Sequence, residues 1–215
     1  MHSISQVVWS QISKEPVILD LLQTGILNCS AYAAKLQPDV EKITLTKVNI
    51  NSIVTALVRI REKQNLKTLQ IPKFKIDDLS LKLPITELVY RKNINPNPAL
   101  GNVYQNLENS ESTHFNVISV QDEIDIFVSS NQTDIVKAGM NGFDLILQEN
   151  QLAAINIKYD PNFRNYPGMA NQILSCLAVN SINMIECFTT HCELIIYINQ
   201  RLANQVLEIL NQNFM

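Results

Sequence analysis

The feature of this sequence that most constrains its fold is an order of strands and helices that occurs twice. Residues 76–150 predict strand, helix, strand, strand, helix and strand, and residues 151–215 predict the same order without the last strand. The ferredoxin-like arrangement, an antiparallel sheet with both helices on one face, accommodates each set of elements. Because the second set lacks its closing strand, its sheet edge has to be covered by a partner or by another part of the chain.

Strands in both sets are indicated by alternation of apolar and polar residues. The strand that ends at Val128 is predicted to place Ile124 and Ile126 in the core, and Asp125 and Phe127 towards solvent. The beginning of residues 151–215 also has a clear pattern. It predicts a strand, a short loop, a helix and then another strand.

Residues 1–75 have helical periodicity and predict a separate domain. Apolar stripes at helical spacing occur in quick succession, over residues 17–22, 29–36 and 50–60. Asn28 is the predicted N-cap of the second helix, and Pro38 is predicted to end it. An extended piece, residues 69–74, follows. The predicted fold class is therefore α+β: a three-helix, winged-helix-like domain followed by two ferredoxin-like βαββαβ units, with boundaries at 1–75, 76–150 and 151–215.

The charge distribution makes DNA binding an alternative for the helical domain. Residues 1–75 hold 10 Lys/Arg against 5 Asp/Glu, and residues 76–215 hold 7 against 15. The third helix would be the recognition helix, with phosphate and base contacts from Asn51, Ser52, Arg59 and Lys63. The same helical pattern is typical of dimerisation or docking modules. The basic N-terminal part can also attract the acidic C-terminal part within one fold.

Motifs that would indicate an enzyme are missing. Only five glycines occur, and the sequence has no phosphate-binding loop or nucleophile elbow. Cys187, His191 and Cys192 are close in sequence but lack a fourth metal ligand at regular spacing. We therefore expect no catalytic residues, no metal and no cofactor. The four cysteines show no disulfide framework, and no apolar run approaches the roughly 18 residues of a membrane span, so we expect a cytoplasmic protein without a membrane partner.

The stretch around Tyr166-Pro167-Gly168 resembles a known family. Together with Ile173, Leu177, Asn180 and the strand-like Ile182-Asn183-Met184-Ile185, it is similar to the ACT regulatory domain, and to the tandem ACT domains of aspartate kinases in particular. The resemblance covers residues 152–215 well and the first unit only by its order of elements, since Pro96-Asn97-Pro98 replaces the Pro-Gly turn there. The sequence around Gly25 also resembles the helical head of small ACT proteins, and no kinase domain is recognisable. Arg164-Asn165-Tyr166 stand where the family usually has an acidic residue.

The resemblance implies pairing of ACT-like units and ligand binding where they meet. ACT domains commonly bind amino acids through the first loop and the start of the second strand. Carried over to this sequence, the ligand-binding residues are Asn165, Tyr166, Gly168, Met169, Asn183 and Ile185. A helix start offers free N–H groups to a carboxylate, and Gly168 lets a ligand approach the backbone closely.

Three functions follow as hypotheses. The first is a non-catalytic regulatory protein that binds a small ligand, such as an amino acid, and forms a homo-oligomer, for example a dimer, through its ACT-like units. The alternative is a DNA-binding regulator with a winged-helix-like head and ACT-like sensor domains. The third is a purely structural oligomerisation module.

Overall fold

The computed structural model describes residues 3–63, 73–107, 113–166 and 168–215. The chain forms two compact units, residues 1–70 and 71–215, which we call the helical unit and the sheet unit. Each is described by itself.

Four helices make up the described part of the helical unit: α1 (Ile4–Ile12), α2 (Pro16–Gln23), α3 (Cys29–Thr44) and α4 (Ile50–Lys63). They bury one shared apolar core, to which α1, α3 and α4 contribute most. The helix α1 has no counterpart among the predicted elements. Its sequence signal is a capping box, in which the Ser3 hydroxyl accepts from the Gln6 N–H and the Gln6 side chain accepts from the Ser3 N–H.

Two predictions for the helical unit are wrong. Pro38 does not end α3, which continues to Thr44 and ends at Leu45 with a left-handed φ of 55°. Leu36 and Val40 are both buried, so packing on either side of Pro38 outweighs the lost backbone hydrogen bond. Residues 3–63 form four helices instead of the predicted three, and they contain no strand that could serve as a wing. Most of the predicted extended piece lies outside the described residues.

Within the described residues, the sheet unit forms one six-stranded antiparallel sheet and four α-helices. The strands are β1 (Asp78–Arg91), β2 (Phe115–Ser119), β3 (Glu123–Ser129), β4 (Leu145–Lys158), β5 (Glu186–Thr189) and β6 (Glu193–Asn199), in the order β2-β3-β1-β4-β6-β5. The helices are α5 (Asn97–Asn106), α6 (Thr133–Gly139), α7 (Met169–Val179) and α8 (Ala203–Phe214).

The two long strands β1 and β4 are shared by two half-sheets. In the first half-sheet, residues 85–91 of β1 pair with β3 and with the start of β4. In the second, residues 152–158 of β4 pair with β6 on one side and with residues 78–82 of β1 on the other. The start of β1 is therefore the closing strand that the second predicted unit lacks. Of the two ways to cover that edge, the chain uses another part of itself. Residue 150, the predicted end of the first unit, lies inside β4.

The half-sheets carry their helices on one face and meet each other on the opposite face. Helices α5 and α6 cover one apolar core, and α7 and α8 cover another. On the opposite face the sheet curls, so that the rings of Phe127 in β3 and Tyr197 in β6 stack with their centroids 3.8 Å apart. Phe127 is completely buried, contrary to the predicted solvent-facing position, because the second half-sheet covers it.

Candidate ligand site

The loop between β4 and α7 shapes the candidate site. Asp160 lies two residues after the end of β4, and its carboxylate accepts from the Asn162 N–H at 2.8 Å. This contact stabilises a short 3-10 turn, Pro161–Asn165. Gly168 then precedes α7 with a φ of +80°, a left-handed conformation that favours glycine, and the helix begins at Met169. The loop therefore presents the first turn of α7 towards the end of the sheet.

A pocket of about 250 Å³ opens beside this loop. Four aromatic side chains line it, and Phe74 packs edge-on against Tyr159 at a centroid distance of 5.4 Å and in a tilted arrangement against Phe163 at 5.5 Å. The complete lining is Phe74, Tyr159, Phe163, Arg164, Tyr166, Gly168, Met169, Ala170, Thr189 and Leu194. We call it the aromatic pocket. Its volume lies just below the roughly 300–1,000 Å³ of drug-sized sites, which suits a ligand of amino-acid size.

Arg164 is the cationic side chain in the pocket lining. Its Nη1 lies 3.5 Å from Nδ1 of His191, on the turn between β5 and β6. Burial raises the pKa of the neighbouring Tyr159, an effect that Cys192 adds to and Arg164 opposes, so this phenol is neutral near pH 7. An apolar wall with a guanidinium and helical N–H groups nearby is suited to a small molecule with an apolar side chain and a carboxylate.

The predicted ligand residues are distributed unevenly with respect to this pocket. Tyr166, Gly168 and Met169 line it, whereas Asn165 lies in the preceding turn and does not. Asn183 and Ile185 are also absent from the lining. Ile185 instead joins the apolar cluster between the half-sheets, and its N–H donates to the carbonyl of Tyr197 at 2.8 Å.

The sequence analysis missed seven lining residues: Phe74, Tyr159, Phe163, Arg164, Ala170, Thr189 and Leu194. Tyr159, Phe163 and Arg164 belong to the same loop and strand end, where their proximity to Gly168 in sequence could have indicated them. Phe74 lies more than 80 residues earlier in the chain. No local signal could have placed it here, because it enters the site only through the pairing of β1 with β4.

The buried face between the half-sheets holds a second polar group of residues. Glu87 is only 6% exposed, and its Oε2 atom has no hydrogen-bond partner. Burial, followed by the charges of Asp125, Glu149 and Glu186, raises the pKa of Glu87 to about 7. We call these four side chains the carboxylate cluster.

A buried histidine lies on the same face. Nε2 of His114 is 2.7 Å from the hydroxyl of Tyr197, which also accepts from Nδ2 of Asn116 at 2.8 Å. Burial and, secondarily, the charge of Lys82 lower the pKa of His114 to about 4. The imidazole is therefore neutral at pH 7, and it serves to satisfy the buried Tyr197 hydroxyl rather than to carry charge.

The residues of the DNA-binding alternative lie on α4. Asn51, Ser52 and Arg59 are exposed there, and Lys63 is the last residue of the helix. An exposed polar face is common to most amphipathic helices, and no strand accompanies it within residues 3–63.

Metal and membrane sites are absent from the parts that the structure covers. No set of three or more His, Cys, Asp or Glu side chains among the described residues is placed to hold a metal ion. Cys187 and Cys192 are both free thiols, as are the other two cysteines. Among the helices described, none combines the length and the apolar character needed to cross a membrane.

The sheet unit thus has a mixed α+β fold of ferredoxin-like character, in which two half-sheets of one curled antiparallel sheet share long strands. No protein-family profile matches the sequence, and no curated protein matches it. The fold of this chain does resemble those of solved structures. The regulatory subunit of aspartate kinase from Thermus thermophilus, in its ligand-free form, has a TM-score of 0.52 and 13% identity, over 65% of this chain and 99% of that one.

Two complete aspartate kinases show the same likeness. The enzyme from Clostridium acetobutylicum has a TM-score of 0.55 and 12% identity over 68% of this chain, and the enzyme from Synechocystis has 0.53 and 13% over 77%. This chain spans about a third of each of these kinases, 36% and 31%. At such identities the comparisons establish the fold, that of aspartate kinase regulatory regions. They give no support to DNA binding.

Proposed function

We propose that this protein is a non-catalytic regulatory protein that binds a small amino acid with an apolar side chain in the aromatic pocket. The observation that carries the proposal is the combination of an aromatic wall, the Arg164 guanidinium and the first turn of α7 in one pocket of about 250 Å³. The shared fold with aspartate kinase regulatory subunits supports a regulatory role. The helical unit would pass the ligand state on to a partner.

The binding mode follows from the chemistry of the lining. The ligand's side chain would lie against Phe74, Phe163 and Met169, where apolar surface leaves water. Its carboxylate would accept from Arg164 and from the N–H groups that open α7. This differs from the pattern that the resemblance implies, because the pocket is complete within one chain.

Calorimetric titration of the full chain with leucine, methionine and phenylalanine tests the proposal, with lysine and aspartate for comparison. Removing a charged hydrogen-bond partner costs about 1.5–3 kcal/mol, so Arg164→Gln should weaken binding by roughly tenfold or more. Arg201→Gln, at another exposed arginine of the sheet unit, is the matched control and should bind as the parent does. No heat with any apolar amino acid, or equal loss in both variants, would refute it.

We propose further that the protein forms a homodimer through the start of β4. Residues 145–149 pair with β1 on one side, while β6 begins its pairing only at Leu152, so no strand of the described residues pairs with their other edge. Leu145, Ile146 and Leu147 are 43–46% exposed in succession, and no charge interrupts residues 145–148. Open strand edges are normally protected by charged side chains, and residues 145–148 have none. The same edge of a second copy, related by a two-fold axis, could pair antiparallel with this edge.

Light scattering after size-exclusion chromatography tests the dimer. Ile146→Lys should shift the mass from dimer to monomer, because an edge lysine opposes strand pairing. Val179→Lys replaces an isolated apolar residue, 85% exposed on α7, and should leave the mass unchanged. A monomeric parent protein at high concentration would overturn this proposal and leave ligand binding unaffected.

A cytoplasmic location is also proposed, since all four cysteines are free thiols, as is usual in reducing compartments.

A further inference from the structure

A second pocket, of about 390 Å³, lies where β1 and β4 change register. Its lining is polar, in contrast to the aromatic pocket. It consists of Pro84, Thr86, Ser130, Thr133, Asp134, Lys137, Gln148, Asn150, Gln151 and Gln200. We call it the amide pocket, after the four amide side chains among these ten residues.

Hydrogen bonds fix the floor of the amide pocket. Thr86 is 1% exposed, and its hydroxyl lies 2.8 Å from Oγ of Ser130 and 3.1 Å from Oδ1 of Asn150, to which it donates. The same Oδ1 atom accepts from Nε2 of Gln148 at 3.1 Å. Asn150 and Gln148 are therefore held in one orientation, and a ligand would not have to order them.

Two opposite charges line the pocket within one helical turn. Asp134 and Lys137 lie three residues apart on α6, so their Cβ atoms are about 5–6 Å apart. No other charged residue occurs in the lining. An α-amino acid carries an ammonium and a carboxylate on adjacent carbons, which matches this pair of charges.

The lining of the pocket comes from both half-sheets. Ser130 and α6 follow β3 of the first half-sheet, whereas Gln200 follows β6 of the second. Gln151 has a φ of +61°, a left-handed conformation that is strained for a residue other than glycine. Such strain tends to occur at binding sites, and here it lies in the pocket lining.

We propose that the amide pocket binds a small zwitterion with an uncharged polar side chain, such as glutamine or serine. The ammonium would contact Asp134 and the carboxylate Lys137. The amides of Gln148, Gln151 and Gln200 would hydrogen-bond the polar side chain. This site is separate from the aromatic pocket and selects the opposite class of side chain.

Calorimetric titration of the full chain with glutamine tests the proposal. Both Asp134→Asn and Lys137→Gln should weaken glutamine binding by roughly tenfold or more, because each removes one charged contact. The matched control variants Asp144→Asn and Lys158→Gln, at exposed positions away from the pocket, should bind as the parent does. Arg164→Gln should also keep glutamine binding while losing leucine binding.

Analogues of glutamine separate the two charged contacts. N-acetylglutamine lacks the ammonium, so Asp134→Asn should no longer affect its weaker binding. The α-carboxamide of glutamine lacks the carboxylate and should be insensitive to Lys137→Gln.

Several results would overturn the amide-pocket proposal. It is contradicted if glutamine does not bind, or if glutamine binds both charge variants as tightly as it binds the parent protein. Dependence on Lys137 alone would indicate a simple anion site and also contradict it. Loss of glutamine binding in Arg164→Gln would assign the ligand to the aromatic pocket. Leucine binding without glutamine binding would leave the proposed function intact and remove only this inference.

Discussion

Replacing Glu87 with glutamine should stabilise the sheet unit, and more so at pH 8 than at pH 5. Glu87 lies in the carboxylate cluster with Asp125, Glu149 and Glu186, and its pKa is raised from 4.5 to about 7. The folded state favours the protonated form of Glu87. The contribution of Glu87 to the free energy of unfolding is therefore fully present below pH 4.5 and is lost as the pH rises through 7. Glutamine keeps the shape of the protonated side chain and cannot ionise.

The magnitude follows from the two pKa values. At about 1.4 kcal/mol per pH unit, the change from 4.5 to about 7 corresponds to a free energy of unfolding lower by up to roughly 3 kcal/mol at pH 8. At pH 5 the same linkage lowers the free energy of unfolding by less than about 1 kcal/mol. The stabilisation by Glu87→Gln should therefore grow by roughly 2 kcal/mol between pH 5 and pH 8.

Urea unfolding at both pH values measures this difference. Five of the six tyrosines lie in the sheet unit, whereas the single tryptophan, Trp9, lies in the helical unit. Near-ultraviolet circular dichroism of tyrosine is therefore the appropriate signal. With a urea slope of about 1–3 kcal/mol per molar, the midpoint at pH 8 should rise by roughly 1 M or more.

A matched control is Glu208→Gln, on the exposed side of α8, which should shift the midpoint little at either pH. Equal stabilisation by Glu87→Gln at pH 5 and pH 8 would refute the linkage argument. Destabilisation at pH 8 would show that the carboxylate is held by favourable contacts instead of being repelled.

Three further changes have defined outcomes. The pKa of His114 is lowered to about 4, so stability present above pH 6.5 should fall by up to roughly 3 kcal/mol as the pH decreases through 4, and His114→Gln should flatten this acid limb in a urea series. A Cβ at Gly139 would overlap the Cγ2 methyl of Val103, so Gly139→Ala should lower the melting temperature, at a cost of about 1–3 kcal/mol, whereas Gly101→Ala, in open space on α5, should raise stability by about 0.5–1 kcal/mol. Asn28 accepts from the third N–H of α3, so Asn28→Ala should cost the helical unit about 1 kcal/mol in tryptophan-monitored unfolding.

Local patterns were sufficient to predict most elements of the sheet unit. Alternation identified β1 and β3, and the order of strands and helices indicated ferredoxin-like units before any pairing was known. The N-cap at Asn28 was also correct, since its side chain accepts a backbone hydrogen bond from α3. Each of these features depends on residues within a few positions of one another, which a single sequence displays directly.

The errors occurred where distant contacts outweigh local preference. Pro38 is a helix breaker by propensity, yet α3 continues because Leu36 and Val40 are buried on either side of it. Phe127 follows the alternation that predicts exposure, yet the curl of the sheet stacks it on Tyr197. The ligand-binding role of the six predicted site residues stays a prediction: Tyr166, Gly168 and Met169 line the aromatic pocket, and Asn165, Asn183 and Ile185 are not among its lining residues.

The sequence by itself determined the types of the elements and their order, since helical and strand periods are local properties of side-chain spacing. Only the tertiary structure decided how the second unit is closed. The start of β1 pairs with the end of β4, across more than 60 intervening residues, and this pairing brings Phe74 to the loop between β4 and α7. Strand pairing of this kind depends on backbone groups that every residue carries, so the sequence shows that an edge must be covered but not which segment covers it.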